Sequence, residues 1–558
     1  MPEDTLAALL LARAGDDRPG LYFEDRVWSW REHVAACLAA ATWLDAHAAA
    51  HATPLHVGVL CDNVPELVFL VGGAALAGHV VVALNPTRSP AELARDAAAT
   101  DVALLLCDDP YEEVGRRLAA GLGIPCAALS RASPPGPGGE PVTEPGGELG
   151  GDLGGKPGSD TRPGDLVMLI FTSGTSGRPR AVRITQRKIA VPGRSLAALL
   201  APGDVVYCSM PLFHSGAVMA AYAPAVASGA ALALRRRFSA SGLLTDVRRY
   251  GCTYLHYVGK ALSYVLATAE RPDDADNPLR LAFGNEGSAT AVRRFGERFG
   301  CHVIDAFGST ETAIALTPDP TGPPGCLGRL PEGVEIRDPA TGERCPPAIV
   351  EDGRLLNPGE AIGELVNATG AGLFDGYYND PEADAERIRA GEFWSGDLAY
   401  ADAGGYVFFA GRGTERLRVD GENLAVAPIE AALREFPGVV EAAVYPVPDA
   451  VAGDQIMGAL VMSAPFAPAE FAALFAAFLA SRRDLGVKAV PRYIRICSAL
   501  PETPSHKVVK RHLVRDAWRT PDPVWWRTGT GWRPLKEEDV KAIEDEFVRN
   551  GRGHLLEG

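Results

Sequence analysis

Three short stretches of the chain combine residue types that can handle a nucleotide. Phe171–Arg180 reads FTSGTSGRPR and follows an apolar run. Thr172, Ser173 and Thr175 offer hydroxyl donors, Gly174 and Gly177 let backbone N–H groups approach an anion, and Arg178 and Arg180 supply positive charge. Such a turn suits a polyphosphate. No GKS or GKT follows its glycines, so it is not a Walker loop, and a flexible Ser/Gly surface turn would share its composition. Asp305–Thr312, DAFGSTET, again closes an apolar run, at the kind of strand end where α/β proteins bind ligands. There Thr310 can bond a phosphate and Glu311 offers a carboxylate oxygen, the hard ligand that Mg2+ prefers; the same eight residues could instead form a helix N-cap box. Trp394–Leu398, WSGDL, precedes Gly411-Arg412. Asp397 can accept both hydroxyls of a ribose, and Arg412 can assist it or bond an α-phosphate. Taken singly, this pair would also pass for an ordinary turn.

The elements that must position these residues alternate along the first four hundred residues. Helical stretches separate short apolar runs at Val102–Cys107, Leu166–Phe171, Asp204–Ser209, Cys252–Val258, Leu279–Phe283 and Cys301–Phe307. This alternation predicts an α/β architecture with helices covering largely parallel sheets. Leu67–Leu84 holds eighteen residues without a formal charge, long enough for a membrane span. Gly72, Gly73, Gly78 and His79 interrupt it, and it ends in three valines before Asn85-Pro86. That predicts a buried helix feeding a buried strand. Residues 133–165 are dense in Pro and Gly and read as a flexible surface insertion. Beyond Gly411 the chain reads as a smaller α+β unit, which puts the expected division at 1–411 and 412–558. In that unit Phe471, Leu474, Phe475, Phe478 and Leu479 predict one core-facing helical stripe from about Pro468, ended by Leu485-Gly486.

Composition narrows the class of molecule. A chain of 558 residues exceeds what one core usually serves, and 47% hydrophobic with 22% charged residues is ordinary for a globular protein. A formal charge of −16 argues against a nucleic-acid partner, which requires a basic face. The ten cysteines stand singly with no CxxC pair, a pattern of reduced thiols rather than a zinc site. The N-terminus opens with acids and lacks the basic region of a signal peptide, so the expected location is the cytoplasm.

In their order, the three blocks resemble those of the adenylate-forming superfamily of acyl-CoA synthetases, non-ribosomal adenylation domains and luciferases. The likeness runs from LYFEDRVWSWREH at Leu21 to HKVVKRHL at His506. Within the superfamily the chain is most similar to the fatty-acid transport protein and very-long-chain acyl-CoA synthetase branch with its actinobacterial relatives. DNVPELVFLVGGAALAGHVVVALNPTR, HYVGKALSYVL, TPDPTGPPGCLGR and RVDGENLAVAPIE carry that similarity. The resemblance implies a large N-terminal domain of layered α/β subdomains and a mobile α+β C-terminal domain. It also implies two half-reactions: a small carboxylic acid attacks ATP to give acyl-AMP, and coenzyme A then takes the acyl group, with Mg2+ as the metal.

Site roles follow by motif position. Thr172, Ser173, Gly174, Thr175, Ser176, Gly177 and Arg180 surround the β- and γ-phosphates. Phe307, Gly308 and Ser309 meet the nucleotide, the first two at its adenine. Thr310 lies on phosphate, Glu311 on Mg2+, and Asp397 with Arg412 on the ribose. Gly421, Glu422 and Asn423 form the loop of the thioester step, Lys507 assists adenylation with Lys510 as its neighbour and rival, and His214, Asn285 and Glu286 line the substrate pocket. Three departures from the family pattern stand out. Arg180 replaces the usual lysine of the phosphate loop, the acid after the ribose arginine comes only at Glu415, and GNEGS brings Glu286 and Gly287 into a stretch that is usually Gly-Asn-Gly-Leu. A carboxylate inside a fatty-acyl pocket would be costly unless paired. The sequence therefore leaves other acceptors open: a carrier protein, or an aromatic amine in a diazotase-like enzyme that activates nitrite. A non-catalytic nucleotide-binding scaffold is the reading of another class. Contact with a membrane surface and the oligomeric state are not specified.

Overall fold

A computed structural model describes the chain apart from residues 1–3, 49–53, 133–160, 173–178, 259, 288, 320, 324, 352–353, 413–415, 420–421, 452–453, 465–466, 483–484, 486–488, 503–507, 530 and 557–558. The chain divides into two compact units. One comprises Met1–Gly287, Ala291–Ala315 and Ala371–Arg389, and the other Ser288–Thr290, Leu316–Gly370 and Ala390–Gly558.

Every apolar run foreseen in the first unit contains a strand, with ends shifted by one or two residues. One sheet has the order Cys126–Ala128, Leu104–Cys107, His56–Leu60, Val80–Ala83, Leu166–Thr172 and Arg180–Thr185. It is parallel except for the final hairpin. A second sheet runs His302–Asp305, Leu281–Asn285, Tyr254–Val258, Val205–Cys208, Ala231–Leu234, Pro19–Phe23 and Arg26–Ser29, again parallel up to a terminal hairpin. The uncharged Leu67–Leu84 stretch is the helix Pro65–Ala77, capped by Gly78 at φ 76°, followed by the fully buried strand Val80–Ala83. Its glycines admit the helix Trp30–Ala48 at close range, since a Cβ on Gly73 would sit 2.8 Å from the Ala41 nitrogen. Among the described residues no helix is long and apolar enough to cross a membrane.

The second unit contains an antiparallel sheet ordered Gly328–Arg329, Tyr406–Arg412, Glu392–Ala401, Gly363–Asn367 and Val334–Arg337. The helix–strand alternation over the first four hundred residues, which predicts largely parallel sheets, does not mark this sheet out. These strands bury residues in an irregular half-alternation, as in Glu392–Ala401, and so lack the continuous apolar run that marks a parallel strand. The C-terminal part is α+β as expected. Its sheet runs Val439–Pro448, Asp454–Met462, Tyr493–Cys497, Val524–Thr528 and Gly531–Pro534. Alternate residues of Val439–Pro448 face two cores. Ala442 and Val444 pack with the helices Val426–Arg434 and Pro468–Ser481, and Ala443, Tyr445 and Val447 with Leu513, Ile543 and Phe547.

Two details differ from expectation. In the helix Pro468–Ser481, Phe471, Phe475 and Leu479 are buried, but Leu474 is exposed. The core is met along one i, i+4 ridge, and Leu474 falls outside it. The helix also ends at Ser481 rather than at Leu485-Gly486, because the Ser481 hydroxyl turns back onto the Phe478 carbonyl at 2.6 Å and Arg482 is already extended and ion-paired with Glu435. At the other flagged segment, residues 161–165 form a turn whose Asp165 carbonyl accepts from Gln186 N at 2.9 Å, while 133–160 lie outside the described residues.

Candidate active site

The hydroxyl-rich stretch joins the two strands of a hairpin. Thr172 ends Leu166–Thr172 and stands directly opposite Arg180, which begins Arg180–Thr185. Ser173, Gly174, Thr175, Ser176 and Gly177 lie outside the described residues. Arg180 is only 6% exposed; its guanidinium is ion-paired with Glu386 and sits 5.4 Å above the ring of Tyr377.

DAFGSTET is not a helix start. After the strand His302–Asp305 the backbone through Phe307, Gly308, Ser309, Thr310 and Glu311 is irregular and half-open, which leaves its side chains at the strand ends. Thr310 Oγ1 lies 2.9 Å from Ser215 Oγ. Glu311 is held twice: Tyr377 Oη donates to Oε1 at 2.8 Å, and Lys188 Nζ donates to the Glu311 carbonyl at 2.8 Å. Lys188 is fully buried on the helix Gln186–Ala197. Burial pushes its ammonium down to about 8, against the pull of the Glu311 and Asp375 carboxylates. Asp375 in turn accepts from Thr185 Oγ1 at 2.7 Å and pairs with Arg187. Sequence reasoning missed Lys188, Tyr377 and Asp375. A lysine among the buried residues Gln186, Ile189 and Ala190 was the one available signal.

A second group lies on one face of the other sheet. His214 caps the short helix Ser215–Ala217, its Nδ1 accepting from Gly216 N at 3.4 Å, and the chain continues as a π-turn over Val218–Tyr222, a distortion frequent at functional sites. Tyr254 Oη donates to the Ala220 carbonyl at 2.9 Å, so this turn covers the face that carries Tyr254, His256 and Val258. Asn285 pairs with Val258 and shares that face; its Oδ1 has no hydrogen-bond partner. His256, also missed, is buried with Nδ1 3.1 Å from the Phe283 carbonyl. Nδ1 therefore carries the proton, and Nε2 is a bare acceptor without a partner. Burial pushes this histidine down to about 4, so it is neutral near pH 7. Gly216 is what lets the ring fit, because a Cβ there would stand 2.7 Å from Nε2. Gly216→Ala should lower the unfolding free energy by about 1–3 kcal/mol, the usual cost of overpacking. Combining it with His256→Ala should cost less than the sum of the two single changes; strict additivity in denaturant melts would count against the contact.

Glu286 stands at the end of this face in a left-handed conformation, φ 62°, and is exposed. The desolvation cost that its carboxylate raised in the sequence therefore does not arise. The turn is fixed instead through Gly287, whose N–H donates to Asp305 Oδ1 at 2.9 Å beside the Tyr257 hydroxyl, also at 2.9 Å.

In the second unit Asp397 is buried on Glu392–Ala401 and stands directly opposite Arg412 on the neighbouring strand, so the pair named from sequence is a register pair. Glu422 and Asn423 lie on the strand Glu422–Ala425, paired with Arg416–Val419. Gly421 and Lys507 lie outside the described residues.

Among the described residues no group of three or more His, Cys, Asp or Glu forms a metal cage. The Glu311 carboxylate, next in the chain to Thr310 whose hydroxyl meets that of Ser215, nevertheless offers hard oxygen ligands. It fits Mg2+, which is commonly held by one or two carboxylates together with substrate phosphates.

The model of the AMP-binding enzyme family matches residues 11–378, and that of the AMP-binding enzyme C-terminal domain matches residues 428–507. The chain is 47% identical over 527 residues to the medium/long-chain-fatty-acid–CoA ligase FadD17 of Mycobacterium tuberculosis, covering 93% of this chain and 98% of that protein. It is 42% identical to the steroid-22-oyl-CoA synthetase of Rhodococcus jostii, with 99% of each covered. Among solved structures, ATP-bound MatB from Rhodopseudomonas palustris superposes with a TM-score of 0.76 at 22% identity, covering 92% of this chain and 98% of that one.

Proposed function

The chain belongs to the AMP-binding enzyme family, and from that premise we propose how its residues divide the work of an ATP-dependent, AMP-forming acid–thiol ligase. The enzyme activates a carboxylic acid as acyl-AMP and passes the acyl group to coenzyme A, as its actinobacterial relatives do. That resolves the acceptor in favour of a thiol over an amine, and the molecule in favour of an enzyme over a silent scaffold.

In our reading residues 172–177 hold the β- and γ-phosphates. Glu311 and Thr310 hold the metal and phosphate end, and Asp397 with Arg412 takes the ribose. Bound Mg2+ would neutralise charge on the departing pyrophosphate. The acid and the α-phosphate are both anionic, and the Lys507 ammonium stabilises the charge that develops as they join. The smaller domain, 412–558, then turns about residues 411–415 and brings Gly421, Glu422 and Asn423 to the thioester step. The free thiols suit a cytoplasmic enzyme.

For the acid, we propose an apolar one of medium or greater length, a fatty acid or a steroid side-chain acid. What supports this is the likeness to a medium/long-chain-fatty-acid–CoA ligase and a steroid-22-oyl-CoA synthetase; the exposed Glu286 adds no buried carboxylate to the face of Tyr254, His256, Val258 and Asn285. Pyrophosphate release should be scored with medium- and long-chain fatty acids, steroid side-chain acids and short polar acids, each with and without coenzyme A. Turnover that needs coenzyme A and is largest for the apolar acids is the expected result. A preference for short polar acids would overturn the substrate reading.

A further inference from the structure

A buried lysine is expensive, since its charge is removed from water and must be compensated by what surrounds it. Lys188 has no exposed surface, and its ammonium spends a hydrogen bond on the carbonyl of Glu311, 123 residues away. The ring of Phe374, 5.6 Å away, covers the ammonium. A lysine placed only for stability would be replaced at little cost by an apolar side chain of similar volume. Tyr377 approaches the same residue from another segment, its hydroxyl on Glu311 Oε1 and its ring under Arg180. Backbone and carboxylate of one residue are thus gripped from two elements. One grip comes from the helix that follows the phosphate hairpin, and the other from a residue stacked on the arginine at that hairpin's exit.

We propose that Lys188 and Tyr377 are positioning residues that clamp Glu311 at its peptide and at its carboxylate, so that the carboxylate is set to take a divalent cation. The inference rests on the reading of Glu311 as a metal ligand. A carboxylate on an irregular segment such as 306–319 would otherwise sample several rotamers, and ordering it at the moment of binding would weaken the metal complex. The clamp also explains how the site tolerates Arg180 in place of the family's lysine: Arg180 is committed to Glu386 and Tyr377, and acts on the site through the tyrosine it covers.

The test is calorimetric titration of Mg2+ into protein saturated with a non-hydrolysable ATP analogue, run alongside steady-state kinetics. Tyr377→Phe, which removes one oxygen and keeps the ring, and Lys188→Met should each raise the Mg2+ concentration for half-saturation about tenfold, the order of a lost hydrogen bond to a charged group. The KM for the acid should not change. Because both act through Glu311, the double variant should be little worse than the weaker-binding single one. Lys188→Met should melt no lower than the parent protein, whereas a purely structural lysine would give a lower melting temperature with an unchanged Mg2+ requirement; that outcome overturns the clamp. Glu311→Gln separates the two levels. If it leaves Mg2+ binding intact, the metal-ligand reading itself falls. If it weakens Mg2+ binding while folded Tyr377→Phe and Lys188→Met do not, the clamp alone is wrong.

Discussion

Lys507→Ala should lower acyl-AMP formation by roughly two to three orders of magnitude, the scale on which removing one preorganised charge-stabilising group acts, and leave thioester formation from supplied acyl-AMP close to normal. The two half-reactions make different demands. In the first, an acid anion approaches a phosphate that already carries negative charge, and an ammonium between them is worth most in the transition state. In the second, a thiol attacks a carbonyl, and that ammonium has no developing phosphorane to stabilise. The nearby rival, Lys510, has a partner of its own. Its Nζ lies 2.9 Å from Glu430 Oε1, and Glu430 also accepts from Val444 N at 2.8 Å, so Lys510 secures the helix Val426–Arg434 to the sheet. Pyrophosphate exchange measures the first half-reaction and acyl transfer from synthetic acyl-AMP the second. Equal loss of both in Lys507→Ala would overturn its role, and selective loss of the first in Lys510→Ala would transfer the role to Lys510.

The parallel sheets were legible because strands buried on both faces are written as unbroken apolar runs. Val80–Ala83 and Leu104–Cys107 are buried at every position. Polar residues that close such runs, at Thr172 and after Asp305, stood out by type because strand ends are where α/β sheets bind ligands. The grip on Glu311 was not legible. Its partners are 123 and 66 residues away, and no periodicity links a lysine on one helix to a carbonyl beyond another sheet. His256 escaped for a related reason. Inside an apolar strand it reads as a stray polar residue, and only the approach of Gly216 and the Phe283 carbonyl gives its two nitrogens different jobs. Strand pairing also did what spacing could not for Asp397 and Arg412. They are fifteen residues apart in sequence but direct neighbours across two antiparallel strands.

Asp305→Asn should stabilise the nucleotide-free protein at neutral pH and confer nothing in acid. The Asp305 carboxyl is pushed up to about 6, first by burial and further by the nearby Glu286 carboxylate, against the N–H of Gly287 and the hydroxyl of Tyr257, which favour its ionised form. An unfolded aspartate titrates near 3.9. The folded state therefore holds this proton more tightly than the unfolded chain, and stability falls as pH rises between about 4 and 6. Below that window Asp305 is neutral in both states and exacts nothing; above it, a buried charge costs the fold about 3 kcal/mol at the upper end. Asparagine keeps an acceptor for Gly287 and Tyr257 and never ionises. The gain in melting temperature of Asp305→Asn over the parent should be full at pH 7.5, shrink through pH 5 and vanish near pH 4. A gain independent of pH would mean that the carboxyl titrates normally. A loss at pH 7.5 would mean that the charge itself, meeting the two donors that hold the Glu286–Gly287 turn, is worth more to the fold than its burial takes away.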